Sequence, residues 1–485
     1  MENPSPENPT LSDDQIPPDD PTVPSEADPA WKRRIALFLT GQTVSLFGSS
    51  LVQYAVMWYL TLETKSGTVM MAYAVFAFLP QALVSLFGGT LADRVNRKVL
   101  IISADATIAV TTLALALAMS AGYRDLWLIY AAVAVRSVGA GFQTPAVAAV
   151  IPQLTPQAHL MRVNGINTTI QSAMALLAPA AAGAVFAAGG IVPTFFVDVV
   201  TAVIGIAILA FIPVPTVRRA AEEASSYLTD LVEGVRYTFG NSVVRWLMTV
   251  YGIIFVLTVA PSFLTPLMIT RSFGDEVWML TALEIAFSVG MTLAGAAVSI
   301  WFTRRSRQHM ILIACVCFGL LSIALGLSTN LWAFYAFMFL TGIAVPFFST
   351  PSMTLLQEKV EPEYMGRVFS FVSIVFAVGM PLGMLVFGPL ADRVSVESLL
   401  VAAGIITLVV VAIAFSIPDG RRALADGRAY RVLKRAEAAD AAESGDAGAA
   451  GSGGVAATTG EGGADGTGVP GTATDEGDAA SPSAR

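Results

Sequence analysis

Four ionisable residues stand inside long apolar runs of this chain: Asp105, Arg136, Asp198 and Glu284. A charged side chain at the centre of a bilayer costs about 2.5–3.5 kcal/mol on insertion scales, so such groups persist where they pair, bind or carry protons. Arg136 shares a helical face with Gly139 and Gln143. Glu284 begins a stripe with Ser288 and Thr292, where a protonatable acid could carry a coupling proton or meet a cationic substrate. Gln42, Ser45, Ser49 and Gln53 form a polar stripe suited to a wet cavity, and Tyr54, Trp58 and Phe263 offer aromatic surface to an amphipathic ligand. Each has a plainer reading. Arg136 could sit in a structural ion pair, Asp105 and Asp198 could pair or pack, and the aromatic residues could be helix packing or interfacial anchors. The substrate or coupling candidates are Arg136, Glu284, Gln143, Gln42, Gln53 and Asp105.

The elements that must position these residues are membrane helices. Of 485 residues, 55% are hydrophobic and 13% charged, about half the charge of an ordinary soluble domain. About 20 apolar residues cross the hydrocarbon core as a helix. Such runs occur near 35–60, 68–92, 98–119, 126–152, 164–188 and 191–213, then near 245–270, 278–302, 310–328, 331–356, 367–390 and 397–417. The expected organisation is an acidic, Pro-rich disordered tail over 1–30 and a six-helix bundle over 31–213. A linker with an amphipathic helix around Asp230–Arg236 follows over 214–244, then a second six-helix bundle over 245–417 and a mostly disordered tail over 418–485. The net charge of −8 comes largely from the tails.

Placing the N-terminus in the cytoplasm puts eighteen Lys and Arg residues inside, from Lys32 to Arg422, and four outside: Lys65, Arg124, Arg271 and Arg393. That asymmetry predicts a multi-pass protein of the cytoplasmic membrane with both termini inside. No basic patch interleaved with aromatics suggests nucleic acid. Cys315 and Cys317 read as small buried hydrophobes, and His159 and His309 are too far apart to suggest a metal site. With no nucleotide loop, nucleophile elbow or cofactor box, the chain is expected to be no enzyme and to need no cofactor, drawing energy from an ion gradient, with protons the expected ion. The expected partners are a small amphipathic substrate, protons and membrane lipids, and the expected state is a monomer.

The halves repeat one another. Phe142-Gln-Thr-Pro145 in span four matches Phe348-Ser-Thr-Pro351 in span ten. Pro156 and Pro362 follow eleven residues after each proline, and Arg162-Val163 and Arg367-Val368 open the next spans. The loop after span two, Gly89-Thr-Leu91-Ala-Asp93-Arg94-Val-Asn96-Arg97-Lys98, is similar to the signature of the major facilitator superfamily. Asn96 stands where Gly is usual, and Asn tolerates left-handed backbone angles. The resemblance implies a gate motif at Gly89, Asp93, Arg94, Arg97 and Lys98, with Asp93 pairing a basic group or helix N-terminus across the seam between halves. A second copy, Gly388-Pro-Leu-Ala-Asp392-Arg393, falls outside by the span count, so Asp392 is not expected to serve as a latch.

Gly366-Arg-Val-Phe-Ser370 and the second copy together resemble the macrolide-efflux and siderophore-exporter branch. Arg136-Ser-Val-Gly139-Ala-Gly141 resembles a motif associated with proton coupling, and Ala178-Pro179-Ala-Ala-Ala-Gly183 is a weak version of the antiporter motif. The resemblance implies twelve helices in two pseudo-symmetric halves, with spans one, four, seven and ten lining the cavity. Arg136 then lies on a cavity helix, and Asp105 and Asp198 on outer ones. The implied function is proton-coupled export of amphipathic molecules by alternating access. Alternatives are a lipid or lysolipid translocator, an importer on the same fold, or a non-transporting membrane sensor or scaffold.

Overall fold

A computed structural model describes residues 30–214, 227–301, 306–422 and 425, with the side chains of 86–94, 227–231, 259–260 and 299–301 outside that description. The gate residues Gly89, Asp93 and Arg94 and the linker residue Asp230 fall in these stretches. Both tails, Arg218, Arg219, Arg304 and Arg305 also lie outside the described residues.

The first half comprises α1 (Ala30–Thr64), α2 (Gly67–Arg94), α3 (Arg97–Ser120), α4 (Leu126–Leu154), α5 (Leu160–Gly189) and α6 (Ile191–Ala210). After α7 (Tyr227–Gly240), the second half comprises α8 (Ser242–Ser272), α9 (Val277–Trp301), α10 (Arg307–Gly326), α11 (Leu331–Lys359), α12 (Met365–Ala391) and α13 (Val396–Ser416). Among the described residues, twelve helices are long and apolar enough to cross a membrane.

Several helices overrun their hydrophobic stretches. α1 reaches Ala30 and Thr64 where hydropathy marks 35–60, because helical hydrogen bonds continue past the apolar core that hydropathy detects. α6 does the opposite and stops at Ala210, the chain turning through Phe211 and Ile212 ahead of Pro213. Asn96 is not a left-handed stand-in for Gly. Its backbone is extended (φ −60°, ψ 113°), and its side chain caps α3 by accepting from the N–H groups of Lys98 and Val99.

The duplication is visible in packing. In the first half α1 lies on α6, α2 on α4, and α3 between α4 and α6. Shifted by seven elements, α8 lies on α13, α9 on α11, and α10 between α11 and α13. The contacts between halves, α2 with α12 and α5 with α9, exchange under the same operation. α7 attaches to the second half, where Tyr237 stacks on Tyr364 at 4.4 Å and Glu233 pairs with Arg367 at 2.9 Å.

The two ends of the bundle differ. At the basic end, which carries Arg97, Lys98, Arg245 and Arg307, one apolar cluster around Phe38, Ile101 and Leu154 belongs to the first half. Another, around Tyr251, Ile311 and Phe348, belongs to the second. Toward the opposite end a single cluster, including Trp58, Met70, Leu267, Leu280 and Met384, runs through both halves.

Candidate functional site

The first half buries a chain of polar side chains supplied by four helices. Asp105 and Thr112 lie two turns apart on α3, Arg136 and Gln143 two turns apart on α4, and Ser45 and Ser49 one turn apart on α1. Asp198 comes from α6. Asp198, fully buried, receives the Arg136 guanidinium. Its Oδ2 also accepts from Thr112 at 3.0 Å and its Oδ1 from Ser49 at 3.2 Å. Arg136 bonds Thr112 as well and reaches the carbonyl of Ser49 at 3.4 Å.

This closeness depends on glycine. A Cβ on Gly48 would lie 1.9 Å from Thr201 Oγ1 and 2.9 Å from the Asp198 Cα, so α1 could not approach α6 with any larger residue there. Asp198 therefore takes the plain reading offered by the sequence, an ion pair, but its partner is the cavity residue Arg136.

One helical step away, Asp105 Oδ1 accepts from Gln143 at 2.6 Å and from Ser45 at 3.1 Å. Its Oδ2 is buried with no hydrogen-bond partner. Leaving such an oxygen as an ionised acceptor in a low-dielectric interior is costly, whereas a proton on it changes the balance. Gln143 therefore serves Asp105 rather than Arg136, with which it shares a face. Ser45 and Ser49 donate to the two aspartates and also line cavities, both with Gln42 and Ser49 again with Gln53.

Arg136 faces a cavity of about 230 Å³ that Ser49, Gln53, Tyr73 and Gln143 also line. Ser137, the next residue, repairs the helix opposite. Pro80 lies inside α2, and the Ser137 hydroxyl donates to the Ala77 carbonyl at 2.7 Å while accepting from Gln81 N–H at 2.9 Å. Gln42 lines a neighbouring cavity of about 290 Å³ with Asn164, Asn167 and Gln171.

Between the halves lies a cavity of about 340 Å³ bounded by α1, α2, α5, α8, α9 and α12. Glu284 is on its wall with Gln53, Tyr54, Gln171 and three methionines, Met57, Met174 and Met380. Ser288, on the same stripe, instead donates to the Ala175 carbonyl of α5 at 3.0 Å and ties the halves together at mid-depth. The second half has its own chamber of about 240 Å³, walled by Tyr251, Phe255, Phe287, Phe318, Phe348 and Phe376, with no charged side chain in its lining.

The gate residues are only partly within view. Arg97 donates to the Ala149 carbonyl of α4 at 3.0 Å, and Lys98 to the carbonyls of Ala210 and Ile212 at 2.8 Å, so both fasten the α2–α3 loop to the first half. A second polar contact between the halves is at the other end. Asp392, just past α12, accepts from the N–H groups of Gly67 at 2.6 Å and Thr68 at 2.8 Å and from Ser66 Oγ at 2.9 Å, capping the start of α2. Arg271 of α8 bonds Asp392 at 2.9 Å and the Lys65 carbonyl, and Lys65 pairs with Asp275 at 2.6 Å.

Burial alone would raise the Asp392 pKa, but hydrogen bonds from Thr68, Gly67 and Ser66 outweigh it and hold the carboxyl well below the usual range. Gly67 and Gly388 make the approach possible, since a Cβ on either would collide with the other's carbonyl oxygen, at 2.2 and 2.7 Å. The expectation that Asp392 has no latch role is thus corrected. The span count rightly put it at the other end from Asp93, but the N-terminus of α2 lies there too and offers unpaired N–H groups.

Among the described residues, twelve apolar helices in two related halves, with polar networks and cavities near their seam, are the architecture of a multi-pass membrane protein. Residues 38–384 and 278–435 match the sequence profile of the Major Facilitator Superfamily, and the chain belongs to that family of secondary transporters. Macrolide efflux protein A of Streptococcus pyogenes is 28% identical over 396 residues, covering 81% of this chain and 98% of the relative. Its namesake in Enterococcus faecalis is 27% identical over 320 residues, 65% of this chain and 99% of the relative. Among solved structures, a POT family transporter in complex with 5-aminolevulinic acid superposes with a TM-score of 0.64 at 14% identity, over 79% of this chain and 96% of that one. The nucleoside transporter NupG gives 0.62 at 14% identity over 80% and 99%. These structural likenesses speak to the fold alone.

Proposed function

We propose that the protein is a proton-coupled exporter of small amphipathic molecules, working by alternating access in the cytoplasmic membrane with both termini inside. The observation that carries this reading is the Asp105 carboxyl, whose buried Oδ2 has no partner. The partner of its Oδ1, Gln143, lines a cavity together with Arg136, which is paired with Asp198. A proton arriving at Asp105 would reweight its bonds to Ser45 of α1 and Gln143 of α4. Those two helices also carry Ser49 and Arg136, so the event would be felt at the second carboxylate. The membrane potential offers about 2.3 kcal/mol per charge per 100 mV to drive such a cycle. The likeness to proteins named for macrolide efflux favours outward transport and supplies the first compounds to try.

The test is accumulation of an amphipathic dye and a panel of macrolides in cells expressing wild type, Asp105→Asn or Arg136→Ala, with and without a protonophore. Lower accumulation in wild type alone, abolished by the protonophore, is expected. Efflux indifferent to the protonophore and to both substitutions would overturn the coupling, and no change with any compound would overturn export.

A further inference from the structure

Two cavities described above meet at one residue. Ser262 of α8 lines both the central cavity that holds Glu284 and the aromatic chamber of the second half. Glu284 and Phe287 stand three residues apart on α9, hence on one face, the first on the central cavity and the second on the chamber.

The two spaces have opposite chemistry. Among the described residues, Glu284 is the one formally charged side chain lining the central cavity. Among the described residues none forms an ion pair or hydrogen bond with its carboxylate. Arg136, which lines a different cavity, is committed to Asp198. A lone carboxylate among methionines and aromatic rings is incomplete until a proton or a ligand cation joins it. Tyr54, Phe78 and Phe263 provide π-faces, and Met57, Met174 and Met380 polarisable sulfur. That lining suits an alkylated ammonium, whose charge is diffuse. It suits a small metal cation poorly, because such an ion demands a shell of oxygens.

The neighbouring chamber is built from interlocked rings. Tyr251 stacks on Phe348 at 4.9 Å, Phe376 sets its edge to Tyr251 at 4.9 Å and to Phe255 at 4.6 Å, and Phe318 meets Phe348 at 6.0 Å.

We infer that these spaces form one bipartite site for an amphipathic organic cation, with the ammonium at Glu284 and the apolar body passing Ser262 into the aromatic chamber. The inference rests on the export reading and gives it a substrate class.

The experiment uses the full chain in lipid nanodiscs with no gradient, read by calorimetry against empty nanodiscs. The probes are n-alkyltrimethylammonium ions from butyl to decyl and n-alkanols of equal length. Wild type should bind the ammonium at least about tenfold tighter than the alkanol. Affinity should rise about fourfold per methylene, the ratio equivalent to about 0.8 kcal/mol per buried CH₂. Glu284→Gln should bind both probes alike. Thr258→Phe, which fills the chamber, should end the rise at a shorter chain. Ser262→Leu, at the neck, should flatten it while keeping the preference for ammonium.

Equal binding of the two probes by wild type, or a preference retained in folded Glu284→Gln, overturns the cation site. Identical chain-length profiles in wild type, Thr258→Phe and Ser262→Leu remove the chamber from it. Either result beside intact protonophore-sensitive efflux defeats this inference alone. The expected binding without efflux upholds the site and defeats the export reading.

Discussion

The two halves follow one packing plan and fill it with different chemistry. In the first half the contact region of α1, α3, α4 and α6 is occupied by Asp105, Arg136 and Asp198 with hydroxyl and amide partners. In the second, the equivalent helices α8, α10, α11 and α13 surround an aromatic chamber whose polar lining is hydroxyl-bearing and uncharged. That chamber packs the equivalent helices with no charged side chain in its lining. The first half therefore keeps its buried ions at a cost that packing does not require. Under the proposed function the difference would separate two tasks, an ion-responsive network in one half and apolar recognition in the other, with Glu284 on the wall between them.

The largest expected effect comes from breaking the ion pair. Arg136→Ala leaves Asp198 buried and uncompensated, and a loss of about 3–5 kcal/mol is the usual consequence of removing one partner. Thermal unfolding in detergent should fall steeply and uphill efflux should vanish. The double substitution Arg136→Met with Asp198→Leu should recover most of the stability and none of the efflux. Recovery of both would make the pair structural, and the contrast between halves would then lose its functional content.

Asp105→Asn sharpens the same contrast. The amide oxygen can still accept from Ser45 and Gln143 while the amide nitrogen occupies the place of Oδ2. Stability should move by about 1 kcal/mol or less, as for a shape-conserving change. Uphill efflux should be lost while exchange of substrate across proteoliposome membranes persists. A variant that still accumulates substrate against a gradient would remove Asp105 from the coupling.

Much of this arrangement was legible in the sequence. Twelve runs of the right length, the basic asymmetry and the Phe142–Pro145 and Phe348–Pro351 repeat sufficed for the fold, because bilayer thickness constrains every span alike. The membrane-embedded ions were also visible, since charge in an apolar run is conspicuous. Their pairing was not. Asp198 is 62 residues from Arg136, and only the close approach of α1 to α6 at Gly48 shows that Ser49 completes the set. The latch at Asp392 was missed because sequence reading matched one loop to its repeat. The complementary surface is mostly the backbone N–H groups of Gly67 and Thr68, which carry no side-chain signature. The aromatic chamber was hidden as well, because Phe318, Phe348 and Phe376 are indistinguishable in sequence from ordinary packing residues.

Asp392→Ala tests the element that spans the comparison, a carboxylate of the second half seated on a helix of the first. Loss of a helix cap costs about 1 kcal/mol, enough to shift an opening equilibrium roughly fivefold. Distance measurements between labels on the α1–α2 and α12–α13 loops should show that end opening more often. The sign of its pH dependence follows from the lowered pKa of Asp392. The carboxylate's contribution is fully present above its unfolded value, near 3.9, and fades only as pH falls through the lower folded one. Between pH 5 and 8 the label distances in substrate-free wild type should therefore not respond at this contact. A pH-dependent opening that Asp392→Ala abolishes would assign proton sensing to the latch instead of to the first half.

The smallest effect is expected in the second half, away from the cavities. Trp246 is buried and donates its indole N–H to the Ala414 carbonyl at 2.7 Å while meeting Phe415 edge-on at 5.2 Å. Trp246→Phe keeps an aromatic ring and removes one neutral hydrogen bond. In membrane proteins such bonds average about 0.6 kcal/mol and reach roughly 1.7 kcal/mol. Unfolding should shift within that range, and efflux and its protonophore sensitivity should be unchanged. The Ala414 carbonyl lies in the last turn of α13, where the helix leaves carbonyls without intrahelical partners, so water at the basic end can replace the indole. A loss comparable to that of Arg136→Ala would mean that neutral contacts in the second half are as indispensable as charged ones in the first, and the division of tasks between the halves would fail.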